Sequence, residues 1–110
     1  MDHLPIAFTA IIQFKTTKEG GRSGPVKSGY RPTIKFAFTK YETTGQHSFI
    51  DKDKVEPGDL VNAEIRLLSP HFFNFSLSEG MDFEVREGHK IVATGKILQI
   101  LNDELKVKKS

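Results

Sequence analysis

The sequence predicts a small all-β domain. Three observations support this: several short stretches alternate apolar and polar residues, turn-forming residues recur roughly every ten positions, and no stretch shows a convincing helical period. Short antiparallel strands of this kind close into a barrel or pack as a small sandwich. We therefore expect one of these two architectures. A barrel of this size fills its interior with side chains and leaves no deep ligand cavity.

Six stretches fit strands in chain order. They cover residues 6–14, 32–41, 47–50, 60–68, 80–86 and 91–101. Within them, apolar residues at every second position are predicted to face inward. These are Phe8, Ala10, Ile12, Phe14, Ile34, Phe36, Phe38, Val61, Ala63, Ile65, Leu67, Met81, Phe83 and Val85.

The connections carry glycine and proline where turns are expected. Turns are predicted at 43–46, 56–59 and 87–90, the last with the length of a hairpin turn. Pro70 ends the fourth strand, and the phenylalanine-rich insert that follows has no clear local structure. Gly95 interrupts the last strand, which indicates a bulge or a close approach of backbone to another group.

Length and composition predict one domain over residues 1–110. The barrel is expected to cover about residues 6–101, followed by a basic tail at 102–110. The terminal Lys-Val-Lys-Lys-Ser, residues 106–110, is expected to be frayed and solvated. A formal net charge of +2 is mild for a dedicated nucleic-acid binder. No apolar run approaches the length of a membrane span, so we expect a cytoplasmic, monomeric protein that does not associate with membranes.

The composition also argues against catalysis. The chain has no cysteine, its four histidines are scattered, and no phosphate-binding loop or nucleophile elbow is present. We therefore expect no metal, no cofactor, no nucleotide bound by this chain alone and no enzymatic activity. An enzyme of unrecognised type stays as an alternative.

A long glycine-rich loop at 19–32 is the most distinctive stretch. It displays Arg22, Lys27, Tyr30 and Arg31 on backbone that glycine frees and proline fixes. Loops on a rigid scaffold often carry binding residues, and cations beside an aromatic ring suit an anionic ligand. The alternative is a solvated connection without a ligand.

An ordered set of motifs resembles the C-terminal, third domain of bacterial elongation factor Tu. The motifs are Lys18-Glu19-Gly20-Gly21-Arg22, Ser28-Gly29-Tyr30-Arg31-Pro32, Thr44-Gly45, Pro57-Gly58-Asp59, Ser69-Pro70, residues 79–88 from Glu79-Gly80-Met81-Asp82 to Arg86-Glu87-Gly88, and Val92-Ala93-Thr94-Gly95. Single pieces such as Pro-Gly-Asp are common, but the ordered set is specific. It extends from about Phe8 to about Leu101.

The resemblance implies a closed six-stranded antiparallel β-barrel. It also implies a domain that helps hold the T-stem backbone of aminoacyl-tRNA, packs against a GTP-binding domain and contacts the exchange factor Ts. Because this chain lacks the two companion domains, we expect a stand-alone, non-catalytic binding domain in translation that contacts tRNA weakly or binds a protein partner. One alternative is a mimic that competes with the full factor for an exchange factor or a toxin. Another is a relic whose function is lost.

The resemblance also assigns candidate residues. Arg22, Thr44, Glu87 and Gly88 match family positions near tRNA, whereas Thr33 replaces a glutamine. The full set of expected RNA-binding residues is Arg22, Lys27, Arg31, Thr33, Thr44, Glu87 and Gly88. Ser69 and His89 also depart from the family pattern, which reduces the number of groups that face phosphate. For Arg31 we favour a structural role, in which its guanidinium bonds loop carbonyls.

Three phenylalanines in the insert are the second group of candidates. Phe72, Phe73 and Phe75 stand where the family has a shorter, acidic segment. They either close one end of the barrel, which is the more common fate of such residues, or form an exposed apolar patch. An exposed patch would mark a protein partner or self-association.

Overall fold

The computed structural model describes residues 3–108 and shows a closed barrel. Its six antiparallel strands are β1 (Phe8–Phe14), β3 (Thr33–Phe36), β4 (Glu42–Phe49), β6 (Leu60–Leu67), β7 (Asp82–Glu87) and β8 (Lys90–Ile100). They neighbour one another in the order β1-β6-β4-β3-β7-β8, and β8 pairs back with β1. The predicted six-stranded antiparallel barrel is therefore confirmed.

The remaining elements are short. Two strands of two residues each, β2 (Val26–Lys27) and β5 (Lys54–Val55), pair as an antiparallel ribbon outside the barrel. Two 3₁₀ turns cover Pro70–Phe73 and Asp103–Leu105. Among residues 3–108, none of the helical segments is long and apolar enough to cross a bilayer.

Phenylalanine rings fill the barrel. The ring of Phe36 contacts those of Phe8, Phe73 and Phe83 edge to face, at centroid distances of 6.3, 5.2 and 5.8 Å. All four side chains are at most 3% exposed. Edge-to-face contacts add to the stabilisation from area burial. A concave groove of about 760 Å³ lies on the outside of the barrel wall, against residues such as Lys35, Glu84 and Thr94.

Two sequence predictions in the β3–β4 region are wrong. Residues 43–46, predicted as a turn, lie inside β4, and the chain reverses at 37–40 instead. Gly45 is needed for space, because a Cβ there would lie 2.6 Å from Cγ1 of Ile34. Phe38 continues the apolar alternation past the end of β3, so its side chain is 49% exposed instead of inward.

Gly95 confirms the predicted close approach. It pairs with Phe83 across β7 and β8, and a Cβ at this position would lie 2.3 Å from Cζ of the Phe83 ring. The irregular pairings of β8 lie elsewhere, opposite Thr9/Ala10 of β1 and Val85/Arg86 of β7. Glycine at 95 therefore makes room for an aromatic ring in the core.

In the described part of the tail the side chains of Lys106, Val107 and Lys108 are exposed, but the backbone is hydrogen-bonded and is not frayed. Leu105 is fully buried, Lys106 forms a parallel bridge with Leu77, and the Val107 N–H donates to the Leu77 carbonyl at 2.9 Å. The segment thus closes the barrel together with the insert. Residues 109 and 110 of the predicted tail lie outside the described range.

The connecting segments gather at the two ends of the barrel. We call the end that carries the 15–32 loop and the β7–β8 turn the hairpin end. The opposite end, which carries the 37–41 turn and the 68–81 segment, is the insert end. Six of the seven RNA-binding candidates lie at or near the hairpin end, and the three phenylalanines of the insert lie at the insert end. Thr44 lies farther along β4, where its carbonyl accepts from the Leu68 N–H at 2.9 Å.

Candidate nucleic-acid interface

A tight reversal after β1 places Arg22. The Glu19 carboxylate accepts hydrogen bonds from the backbone N–H and hydroxyl of Thr16 at 2.9 and 3.0 Å, and the Gly21 N–H donates to the Thr16 carbonyl at 2.9 Å. A Cβ at Gly21 would lie 2.5 Å from the Lys15 carbonyl oxygen. Only glycine therefore allows the chain to fold back so closely and present Arg22 beside β7.

The Arg22 side chain is held by its own loop and by β7. Its Nε donates to the Gly24 carbonyl at 3.2 Å, and its Nη1 forms an ion pair with Oε2 of Glu87. The Thr17 hydroxyl donates to the Arg22 carbonyl at 2.6 Å. None of the hydrogen bonds described for Arg22 within residues 3–108 uses Nη2.

Glu87 joins Arg22 to Tyr30. The Tyr30 hydroxyl donates to the same oxygen, Oε2, that accepts from Arg22, and the Arg22 guanidinium carbon lies 5.5 Å from the centroid of the Tyr30 ring. Partial burial acts to raise the pKa of Glu87, but the hydrogen bonds from Tyr30 and Arg22 outweigh it and hold the pKa below its usual value. Glu87 is therefore a carboxylate at neutral pH.

Tyr30 is anchored in the core through His47. The backbone N–H of His47 donates to the backbone carbonyl of Tyr30 at 2.8 Å, and the centroids of the two rings lie 5.6 Å apart. Burial lowers the pKa of the fully enclosed His47 imidazole to about 4, against a hydrogen bond between Nδ1 and the Gly45 carbonyl that acts to raise it. His47 is therefore neutral at physiological pH, and the base of the site is uncharged.

The β7–β8 hairpin positions Glu87. Glu87 pairs with Lys90, and the two-residue turn between them begins with Gly88 at a φ of 62°. A type II′ hairpin turn requires positive φ at this first position, which favours glycine. A Cβ at Gly88 would meet no protein atom within 4 Å, so the surface above the turn is open to a ligand.

The next strands continue the same surface. On the outer face of the barrel Thr33 lies between Thr44 of β4 and Arg86 of β7. Arg86 donates through Nε to Glu84 Oε1 at 3.0 Å and also pairs with Glu42 at 3.5 Å. The row of two hydroxyls and a guanidinium therefore presents hydrogen-bonding groups with little net charge.

These residues surround one shallow cleft of about 350 Å³. Its lining is Arg22, Tyr30, Arg31, Pro32, Thr33, Arg86, Glu87 and Gly88. Of the predicted RNA-binding residues, Thr44 adjoins this lining through its pairing with Thr33. Lys27 adjoins it through a turn in which the Tyr30 N–H donates to the Lys27 carbonyl at 3.1 Å. We call this set of residues the hairpin-end face.

Three residues of this face, Tyr30, Pro32 and Arg86, are absent from the set predicted from the sequence, and the role expected for Arg31 is wrong. Tyr30 and Arg86 line the cleft but were not among the predicted site residues, although the alternation of β7 placed Arg86 outward beside Glu87. Arg31 is exposed, and the described part of the chain contains no hydrogen bond from its guanidinium. The structural role expected for Arg31 belongs to Arg22, which does bond a loop carbonyl.

The acidic side chains at this face are already paired within the protein. Arginine and hydroxyl groups contact phosphate and ribose, but the acids here are occupied with arginines and Tyr30. Residues 3–108 also contain no group of three His, Asp or Glu side chains placed to hold a metal ion.

The three phenylalanines of the insert have different environments. Phe73 is fully buried against Phe36, so it fills the insert end of the barrel and does not contact a partner. Phe72 is 50% exposed and stacks on the half-exposed ring of Tyr41 at 5.2 Å. Phe75 is also exposed, and the ammonium of Lys108 lies 4.2 Å from its ring centroid.

A comparison with protein-family models places these features in a known context. The family model described as the elongation factor Tu C-terminal domain matches residues 5–101. The matched region contains all six barrel strands and every residue of the hairpin-end face.

Proposed function

Because this chain belongs to the elongation factor Tu C-terminal domain family, we propose that it is a non-catalytic binding domain that acts in translation in the cytoplasm and contacts the backbone of tRNA through its hairpin-end face. The observation that carries this proposal is the single cleft that gathers Arg22, Arg31 and Thr33 with the β7–β8 turn. These residues come from three separate parts of the sequence.

The contacts of the cleft suit a sugar–phosphate backbone. Arg22 is oriented before any ligand arrives, and Arg31 adds a second, exposed guanidinium. The Thr33 and Thr44 hydroxyls can contact ribose or phosphate, and Gly88 lets the backbone approach closely. Because Glu87 offsets the charge of Arg22, we expect weak binding. Because the contacts to phosphate are ionic, binding should weaken further as salt is added.

Replacement of Arg22 tests this proposal. We expect the wild-type chain to bind tRNA at low salt, and Arg22→Ala to weaken binding by about tenfold and to reduce the salt slope by about one, as for the loss of one phosphate contact. Fluorescence anisotropy titrations of labelled tRNA at several salt concentrations measure both quantities.

A matched control is Lys96→Ala, which removes a cation that pairs with Asp82 at 2.8 Å on the outer wall of β8. We expect this variant to bind like the wild type. Equal losses in Arg22→Ala and Lys96→Ala would show that the affinity is diffuse attraction by any cation, and would contradict a site at the hairpin end.

A second candidate function is favoured by the insert end. The side chains of Phe38, Tyr41 and Phe72 are each about half exposed there, and Tyr41 and Phe72 stack with an interplanar angle of 16°. Exposed aromatic residues that are already ordered make effective anchors for a protein partner. A domain with this surface can compete with the full factor for a protein such as an exchange factor or a toxin.

The second candidate is tested with purified exchange factor Ts and the variant Phe72→Ser. We expect binding in isothermal titration calorimetry, and a loss of about tenfold or more in the variant, as for the removal of an aromatic hot spot. Ile50→Ser is the control, because Ile50 is 60% exposed at the hairpin end. Absence of binding by the wild type, or equal effects of both variants, would reject this function for the insert end with that partner.

A further inference from the structure

The small ribbon beside the hairpin-end face contains an unusual charge arrangement. In the antiparallel pairing of β2 with β5, Lys27 lies directly opposite Lys54, and both are exposed. Like charges at directly opposed positions destabilise a strand pair. The ribbon has only one other pair, the buried Val26 and Val55, to hold it together.

The nearby acids do not relieve this repulsion. Within residues 3–108, neither Lys27 nor Lys54 forms an ion pair, whereas the neighbouring Lys52 pairs with Asp59 at 3.0 Å. Asp51 is bonded to the backbone N–H of Asn62 at 3.0 Å. Asp53 and Glu56 flank Lys54 in the sequence, but none of the ion pairs described between residues 3 and 108 uses Lys27 or Lys54. The two opposed ammonium groups are therefore exposed and without a salt-bridge partner in this part of the chain.

The lysine pair is close to the cleft. Lys27 and Tyr30 are the first and last residues of a hydrogen-bonded turn, which keeps their Cα atoms within about 7 Å of each other. Tyr30 in turn donates to Glu87 at the floor of the cleft. A nucleic-acid backbone lying over Arg22 and Tyr30 therefore reaches the lysine pair within one or two nucleotides.

We propose that Lys27 and Lys54 together form a phosphodiester-binding site that extends the hairpin-end face, with Lys54 as an RNA-contacting residue. The inference rests on the proposed function. Opposed residues of an antiparallel pair have Cα atoms about 4.5–5.5 Å apart, so two flexible lysine side chains can converge on one phosphate group. The bound phosphate lies between the two ammonium groups and offsets the repulsion that the free protein carries.

The test measures the affinity of the full chain for an RNA duplex as a function of salt, with Lys54→Gln, Lys27→Gln and the double variant. We expect each single substitution to reduce the salt slope by about one and the double variant to reduce it by about two. Lys52→Gln is the matched control, since its charge lies in the same loop but already pairs with Asp59. We expect Lys52→Gln to change the salt slope by less than half as much as Lys54→Gln or Lys27→Gln does.

Thermal unfolding of the free variants supplies a second measurement. Loss of the like-charge contact is expected to leave the melting temperature of Lys54→Gln equal to or above that of the wild type. A lower melting temperature together with an unchanged salt slope would show a purely structural role for Lys54 and overturn the inference.

A parallel titration of Arg22→Ala separates the two proposals. If Arg22→Ala weakens binding but Lys54→Gln leaves the slope unchanged, the lysine site is rejected and the proposed function stands. If Lys54→Gln lowers the slope but Arg22→Ala has no effect, phosphate binds at the ribbon and the cleft is not the site. If the wild type binds no RNA at low salt, both proposals fail.

Discussion

Replacement of Phe73 by alanine is expected to lower the free energy of unfolding by about 3–5 kcal/mol, the range for removal of a large core side chain. The neighbouring substitution Phe72→Ala should lower it by less than about 1 kcal/mol, because the Phe72 ring is half exposed and a surface change of this kind has a small effect. Urea-induced unfolding followed by circular dichroism measures both values.

The difference follows from where the 3₁₀ turn directs each ring. Phe73 is fully buried and packs on Phe36, which also contacts Phe8 and Phe83. The turn is followed by a backbone hydrogen bond in which the Ser76 N–H donates to the Phe73 carbonyl at 3.1 Å. Similar losses in Phe72→Ala and Phe73→Ala would contradict the assignment of Phe73 to the core and of Phe72 to the surface.

Mild acid is expected to destabilise the fold through His47. Burial lowers the pKa of His47 from 6.5 to about 4, so the unfolded chain binds a proton more readily than the folded chain. The free energy of unfolding should therefore be unaffected above pH 6.5 and fall as the pH decreases from 6.5 towards 4. Between pH 7 and pH 4.5 the loss should be about 2–3 kcal/mol.

Substitution of His47 tests whether this imidazole causes the loss of stability in mild acid. In His47→Leu the pH dependence between pH 7 and pH 4.5 should largely disappear, although the variant loses the contact with the Gly45 carbonyl and starts from a lower stability. Glu87 also has a lowered pKa, but the stability that it contributes is lost only at lower pH, below the usual value of 4.5 for a glutamate. An unchanged pH dependence in His47→Leu would assign the acid sensitivity to other groups.

Much of the barrel could be predicted from local pattern alone. The alternation over β6 placed Val61, Ala63, Ile65 and Leu67 inward, and all four are at most 1% exposed. The prediction from local pattern was wrong where a glycine is required for packing and not for a turn. The glycine of Thr44-Gly45 resembled a turn but provides space for Ile34, a contact between two strands that local sequence does not reveal.

The sequence indicates the segments that form the candidate site but not the contacts between them. The loop and the hairpin were both identified, but their meeting depends on closure of the barrel. Glu87 lies 65 positions from Arg22 and 57 from Tyr30, yet accepts hydrogen bonds from both. For the same reason the structural role expected of Arg31 could not be assigned to Arg22 without the fold.

The measurement that tests the hairpin-end face most directly is a two-dimensional ¹⁵N–¹H titration of the labelled chain with an RNA duplex at low salt. We expect the amide signals of Arg22, Thr33 and Gly88 to shift and to return towards their free positions as salt is added, while those of Tyr41 and Phe72 at the insert end stay in place. Shifts centred on Tyr41 and Phe72, with the cleft unchanged, would contradict RNA binding at the hairpin end.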